Sequence, residues 1–219
     1  MTLQIPLPDT EPGMDCALCP RLAALRGDTQ RDHPDWWNAP VPTWGDPAAW
    51  LAVIGLAPGR LGAHRTGRPI TGDDAGGMLF ETMTRHGLAI GTYKERADDG
   101  LRMEGAIILN AVKCLPPGNK PNAQEIAQCR PFLTEQLAAL PALRVVIALG
   151  RIAHDSFLKS QGLKLADYPF SHGAQNRLPN GMVLIDSYHC SRYNTNTRRL
   201  TQPMFDAVFV AALAARHTS

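Results

Sequence analysis

The chain has no apolar run approaching the roughly 20 residues needed to cross a bilayer. Its first residues, MTLQIPLPDTEPG, have neither the basic start nor the apolar stretch of a secretory signal. A cytoplasmic protein with no membrane partner is therefore expected, and in that reducing compartment its five cysteines are not expected to pair as disulfides. Charge excess is also missing. Twenty-two Lys and Arg against twenty Asp and Glu leave a net +2, so any nucleic-acid partner would have to be met by a local patch. There is no internal repeat and no low-complexity tract. The glycine-rich stretches lack the spacing of a P-loop or a dinucleotide fingerprint. What is present, 219 residues with 44% hydrophobic and 19% charged, suits one globular domain over 1–219, expected as a monomer.

One stretch organises the rest: WLAVIGLAPGRLGAHRTGRPITGDDAG, from Trp50 to Gly76. An apolar run over 51–54 stops at Gly55, a long Gly/Pro/Arg loop follows, and a helical pattern begins at Gly77 and ends at Gly87. A loop of that length argues for function. Further apolar strands are expected over 106–109 (AIIL), 144–149 (RVVIAL) and 182–185 (MVLI). Helices alternate with them: from the capping-box signal Asn122-x-x-Glu125 to about Leu140, over 152–159, and over 199–216. All-apolar strands alternating with helices predict a parallel sheet covered on both faces, with the ligand crevice at the carboxyl ends of the strands. Polar signals follow the strands there: GLAPG after the first, Asn110 after the second, and Ser187-Tyr188-His189 after the fourth. Residues 1–47 read as an N-terminal arm. It holds an extended segment over 1–15, a short helix over 16–26, and an irregular excursion whose three tryptophans are expected to cover the cysteines.

Cys16 and Cys19 form a C-x2-C pair, and Cys114 and Cys129 follow a strand and lie in the next helix. A tight pair fits two corners of a tetrahedral metal or cluster site, and four thiolates suit zinc and [4Fe–4S] equally. Cys190 is the odd one out, read as a packing residue.

The combination GLAPG…GAHRTGRPITGDDAG, LNAVKCLPPGNKP and SYHCSRYNTNTRRLT resembles the uracil-DNA glycosylase superfamily. Among its branches, the iron–sulfur-containing family five (type b) is the most similar. The resemblance implies a three-layer α/β/α sandwich around a central four-stranded parallel sheet. It implies a [4Fe–4S] cluster on Cys16, Cys19, Cys114 and Cys129, and removal of uracil and other deaminated bases (hypoxanthine, xanthine) from DNA in base excision repair. It assigns Gly55, Leu56, Ala57 and Gly59 to the loop around the reactive sugar and base. It makes Asn110 the reader of the uracil edge, His189 the motif-two histidine and Asn194 the polar residue beyond. At Ala57 many branches carry a water-activating carboxylate or Asn. At Ile70 an aromatic residue is common in the family, and at His64 an Asn.

The chemistry behind these assignments is general. A base inside a duplex must be extruded into a pocket that reads its edge, and an Asn amide matches adjacent N–H and C=O groups of uracil. Breaking the N-glycosidic bond sends negative charge to the base, which His189 and backbone N–H groups of the 55–59 loop are suited to stabilise. Asp73 is a candidate to orient water or to cap the following helix, and His64 to position water or contact a phosphate. Ser191, Arg192, Tyr193, Asn194, Thr195 and Arg198 suit phosphate contacts, with Tyr193 as a wedge. Lys113, Lys120, Arg60, Arg65 and Arg68 are expected to extend that positive face. With no evident catalytic lysine in the motifs, no β-lyase step is expected. The rival readings are a cluster- or metal-bearing lesion-binding module that cuts nothing, and a redox protein.

Overall fold

The structure, a computed structural model, describes residues 7–216. Residues 1–6 of the expected extended arm lie outside that range, as do 217–219. In chain order, a 3-10 turn at Pro8–Thr10 precedes α1 (Pro20–Asp32), β1 (Trp44–Gly45), β2 (Leu51–Gly55), α2 (Ala63–Thr66) and α3 (Asp74–Arg85). The small antiparallel pair β3 (Ala89–Ile90) and β4 (Arg102–Met103) comes next, then β5 (Ala106–Asn110), α4 (Ala123–Ala138), β6 (Val145–Leu149) and α5 (Arg151–Ser160). The chain finishes with β7 (Gln175–Arg177), β8 (Val183–Ser187), α6 (Arg192–Asn196) and α7 (Gln202–Ala215).

The main sheet has six strands in the order β1-β5-β2-β6-β8-β7. Its centre, β5-β2-β6-β8, is parallel throughout and matches the four strands expected from the apolar runs. The two outer strands are corrections to the four-stranded expectation: β1 runs antiparallel to β5 and β7 antiparallel to β8. Both are too short to show a periodic pattern. The four parallel strands are buried along their whole length. Alternate residues face opposite layers, as the two-residue period of a strand requires. Leu51, Val53, Val145 and Ile147 pack in the cluster that includes Leu79, Phe80, Phe205 and Phe209 from α3 and α7. Ala52, Ile54, Val146 and Ala148 pack in the cluster that includes Leu133, Leu137, Ala153 and Phe157 from α4 and α5. This is the expected three-layer α/β/α sandwich.

The caps are where local chemistry puts them. Asn122 accepts from the Glu125 N–H and Glu125 accepts from the Asn122 N–H, closing the capping box that starts α4. Thr201 caps α7, so the last helix starts at Gln202, three residues later than expected, and a separate short helix, α6, occupies the motif-two segment. The first helix extends to Asp32 instead of ending near Arg26, because Pro20 enters at its first position and nothing in 27–32 breaks it.

The tryptophans of the excursion lie elsewhere than expected. The Trp44 ring meets Phe80 edge-on, and Trp36 stacks on His33 and faces His64 edge-on. The Trp37 ring fills the space beside Gly67, which has a φ of 77°. They brace the loop after β2, and none of them lines the recess that holds the cysteines.

Candidate active site

Beneath that loop lies a fully buried ion pair. Arg68 Nη1 and Nη2 donate to the two Asp99 oxygens at 2.7 Å each, and neither side chain is exposed. The guanidinium is boxed by the rings of Trp44, Phe80 and Tyr93, its carbon 4.7–5.8 Å from their centroids. Asp99 also accepts from the Lys94 and Leu101 N–H groups. Burial alone would raise its pKa, but these donors outweigh that and hold the carboxyl at about 2. Tyr93, part of the same box, turns its hydroxyl up to accept from the Gly72 N–H at 2.9 Å. The pair thereby fixes the loop that leads into α3. Arg68 is not a surface cation, and neither is Lys113, whose buried ammonium binds Thr43 and Glu11.

Above this base, the carboxyl ends of the parallel strands surround a cavity of about 470 Å³. The chain order of the strands reverses at β2, flanked by β5 and β6, which is where open α/β sheets place their ligands. Leu56, Ala57 and Gly59 line the cavity after β2, with Ile70, Asp73, Asp74 and Ala75 from the entry to α3. Asn110 comes from the end of β5, and His189, Ser191 and Arg192 from the segment after β8. Residues far apart in the chain, predicted on motif grounds, therefore share one space. Leu149, Gly150, Arg151 and Ile152, from the end of β6 onward, also line it with Asn119, and like Asp74 and Ala75 they were not anticipated. The signal for the first group was present: Gly150 ends an apolar strand at the same sheet edge.

Asn110 is 2% exposed, and its Nδ2 donor has no protein partner. Such an atom is costly to bury unless a ligand completes it, at roughly 1–3 kcal/mol. Its Oδ1 lies so close to Gly55 that a Cβ there would stand 2.5 Å away, so glycine is required beside it. Ile70, 7% exposed, forms an apolar wall and holds a left-handed φ of 50°, unusual for a β-branched residue. That conformation coincides with the lining of a site, where strained backbone tends to cluster.

Asp73 takes up the capping task, one of the two that the sequence left open. Its Oδ1 accepts from the Ala75 N–H at 3.2 Å and caps α3. Its Oδ2 lies over Gly59 and Gly62, where any Cβ would collide with it. Burial raises its pKa, only partly offset by the Ala75 and Gly76 N–H groups. His189 lines the cavity, and burial lowers its pKa to about 4, so at neutral pH the ring is uncharged. Its carbonyl accepts from Asn194 Nδ2 at 2.8 Å. Asn194 thus clamps the His189 segment. The Thr195 hydroxyl is likewise turned inward, onto the Ser191 and Arg192 carbonyls. Tyr193 is 71% exposed, and Arg192 and Arg198 are exposed beside it. Cys190 is fully buried in the core, as a packing residue should be.

His64 does not line the cavity. It is 1% exposed, its two ring nitrogens have no partner, and burial together with nearby Arg26 and Arg60 lowers its pKa to about 4. A contact with water or phosphate in the cavity is not open to it in this arrangement.

A second, smaller recess is lined by Cys16, Cys19, Cys114 and Cys129 together, with Leu22, Val112 and Phe132. The four thiols bring no imidazole or carboxylate with them, a soft donor set suited to iron–sulfur or zinc. Two N–H donors already face the sulfurs: Lys113 N to Cys129 Sγ at 3.3 Å, and Arg26 Nη1 to Cys114 Sγ at 3.7 Å. Burial pushes the Cys114 thiol up to about 12 and the Cys129 thiol to about 11. Among the described residues, no three His, Cys, Asp or Glu side chains are arranged to hold a single metal ion.

The sequence profile of the uracil DNA glycosylase superfamily matches residues 42–213. The chain belongs to this superfamily. Among its relatives, the type-5 uracil-DNA glycosylase of Thermus thermophilus is 44% identical, covering 90% of this chain and 92% of that protein. The type-5 enzyme of Pyrobaculum aerophilum is 41% identical over 86% and 83%, and that of Mycobacterium tuberculosis 37% identical over 89% and 75%. Type-4 uracil-DNA glycosylases also match, for example at 26% identity over 80% of the chain in the protein of Sulfurisphaera tokodaii. The superfamily match over 42–213 takes in the residues that line the cavity, together with Cys114 and Cys129. Among the described residues, no helix is long and apolar enough to cross a membrane.

Proposed function

We propose that the protein is a monofunctional DNA glycosylase that flips uracil out of DNA and hydrolyses its N-glycosidic bond. The observation that carries this reading is the unpartnered, buried Asn110 Nδ2 in the same cavity as a neutral His189 and the Asp73 carboxyl. Asn110 Nδ2 donates to uracil O4 while Oδ1 accepts from N3–H. Ile70 and Leu56 supply an apolar bed for the base. As the bond to the sugar breaks, charge gathers on uracil O2. The neutral His189 ring donates a hydrogen bond there and stabilises the anion without having to transfer a proton. Asp73 Oδ2, held by its glycine cradle, aligns the water that adds to the sugar cation. Ala57 offers no group for that task. Among the described residues no lysine lines the cavity, so no Schiff base with the sugar is expected.

A cavity of about 470 Å³ takes a purine as readily as a pyrimidine, which supports hypoxanthine and xanthine as further substrates. Exposed Arg192, Arg198 and Tyr193 present charge and a wedge to the duplex. Cys16, Cys19, Cys114 and Cys129 would hold a [4Fe–4S] cluster. Held there, a cluster would join the segment before α1 to Cys114 after β5 and Cys129 on α4, as a structural staple with no part in the glycosidic chemistry.

The test incubates the protein with duplex oligonucleotides carrying uracil, hypoxanthine or xanthine, then adds alkali to cleave abasic sites. Strand cleavage at uracil is expected, with no covalent adduct under borohydride. Intact uracil strands that nevertheless bind the protein would replace this reading with a lesion-binding module.

A further inference from the structure

The residues proposed to touch the base leave a polar cluster beside the His189 segment unused, with His154 and Asp186 buried and His172 half-buried. His154, one turn into α5 and 1% exposed, places Nδ1 2.6 Å from Asp186 Oδ1 and Nε2 2.9 Å from the Tyr168 carbonyl. Asp186 is fully buried on β8, three residues before His189, and its Oδ2 also accepts from the Ser171 N–H. His172, on the same loop as Tyr168, accepts the Tyr188 N–H on its Nδ1 at 3.1 Å. The His172 ring stacks on the Tyr188 ring, centroids 4.9 Å apart, and the Arg199 guanidinium lies 4.5 Å from that ring's centroid.

We propose that His154 and His172 are positioning residues that aim His189 into the cavity, and that they do so in opposite protonation states. Both His154 nitrogens face oxygen acceptors, so the His154–Asp186 pair must hold a proton at each contact. His172 Nδ1 must be bare to accept the Tyr188 N–H. Between them the two imidazoles fix residues 186 and 188, and residue 189 follows. Loss of a proton from His154 leaves a bare ring nitrogen facing an oxygen acceptor in the core, the Tyr168 carbonyl at 2.9 Å if Nδ1 keeps its proton or Asp186 Oδ1 at 2.6 Å if Nε2 does. Gain of a proton on His172 Nδ1 sets two donors against each other at Tyr188. His189 is therefore correctly aimed only within a pH window, although its own ring stays neutral across that window. The inference rests on the glycosylase reading of His189.

The charged surroundings agree with these assignments. His154 faces Asp186 from β8 and Asp155 from its own helix, with Arg151 beyond the intervening Phe170 ring. Burial pulls its pKa down, but Asp186 and the Tyr168 carbonyl outweigh that and leave it raised. His172 faces Asp186 and the Tyr188 ring, with Arg199 beside that ring, and burial leaves its pKa lowered. The protonated form of His154 is thus favoured up to a pH above its ordinary value. The neutral form of His172 is favoured down to a pH below its own.

The test combines pH–rate profiles with histidine NMR. For wild-type protein on uracil-containing duplex, kcat is expected to fall on both sides of neutrality. H154Q should lower kcat about three- to tenfold near neutral pH, remove the alkaline fall and leave KM within about twofold. H172N keeps an acceptor for Tyr188 and should keep near-normal kcat while losing the acid fall above pH 5. H172A should lower kcat at every pH. On 15N-histidine-labelled wild-type protein, His154 should show two protonated nitrogens at pH 7 and His172 a bare Nδ1. The His189 signals should move with the His154 midpoint. A singly protonated His154 at pH 6, or His189 signals blind to that titration, would overturn the proposal even if the variants fail to fold. So would variant profiles that superimpose on wild type after scaling. If the protein cleaves no uracil, the NMR result still decides the protonation states separately from the activity.

Discussion

Two buried polar groups sit within one loop of each other and are treated in opposite ways. Around Arg68 and Asp99 the polar groups are met by one bidentate contact, the Thr71 hydroxyl, two backbone N–H groups and three aromatic faces. At Asn110, in the lining of the cavity, a donor is left without a partner. The first arrangement gives rigidity; the second stores a demand that only a ligand satisfies. The fully paired site holds the loop so that the unpaired one stays open.

Breaking the paired side should produce the largest effect. Arg68→Ala strands the Asp99 carboxylate in the core and should cost about 3–5 kcal/mol of stability, read by urea denaturation. Acid should act on the same pair with a definite sign. The Asp99 pKa is depressed to about 2, so its contribution is present above the unfolded carboxylate range and is lost as pH falls toward 2. An R68A protein should show a smaller loss of stability over that interval than wild type, and an equal loss would deny the pair its role. On the unpaired side, His189→Ala should reduce kcat on every substrate base by about 100- to 1,000-fold, in line with the removal of one preorganised donor. Asn110→Asp should lower kcat/KM for uracil by about 10- to 100-fold and change which base is preferred, because a carboxylate oxygen then faces O4. The smallest effect is expected from Asn194→Ala, which removes one hydrogen bond to the His189 carbonyl and should slow turnover about fivefold. An unchanged rate there would assign Asn194 to DNA instead.

Much of this was legible in the sequence because the parallel strands are uninterrupted apolar runs and the site residues follow them directly. Asn122 and Glu125 announced the start of α4 by themselves, since a cap is a local contract between neighbours. Other features depend on partners distant in the chain. Arg68 and Lys113 read as surface cations, and only Asp99 and Glu11, 31 and 102 residues away, make their burial tolerable. The tryptophans were assigned to the wrong neighbours for the same reason: aromatic residues advertise burial but not against what. His64 fell near a motif in sequence yet turned inward on α2, toward Trp36. The contribution of 149–152 to the cavity was missed because its only mark in the sequence is position, Gly150 closing an apolar strand at the sheet edge with no motif around it.

The sheet's two margins have a consequence for handling the protein. A parallel core of four buried strands would, if bare at its sides, offer long ladders for another chain to extend. Here β1 and β7 close those sides with only two and three residues, running against their neighbours. So short a border gives an incoming strand little to zip onto. Concentrated solutions should accordingly resist edge-to-edge aggregation as long as those two ribbons stay in place.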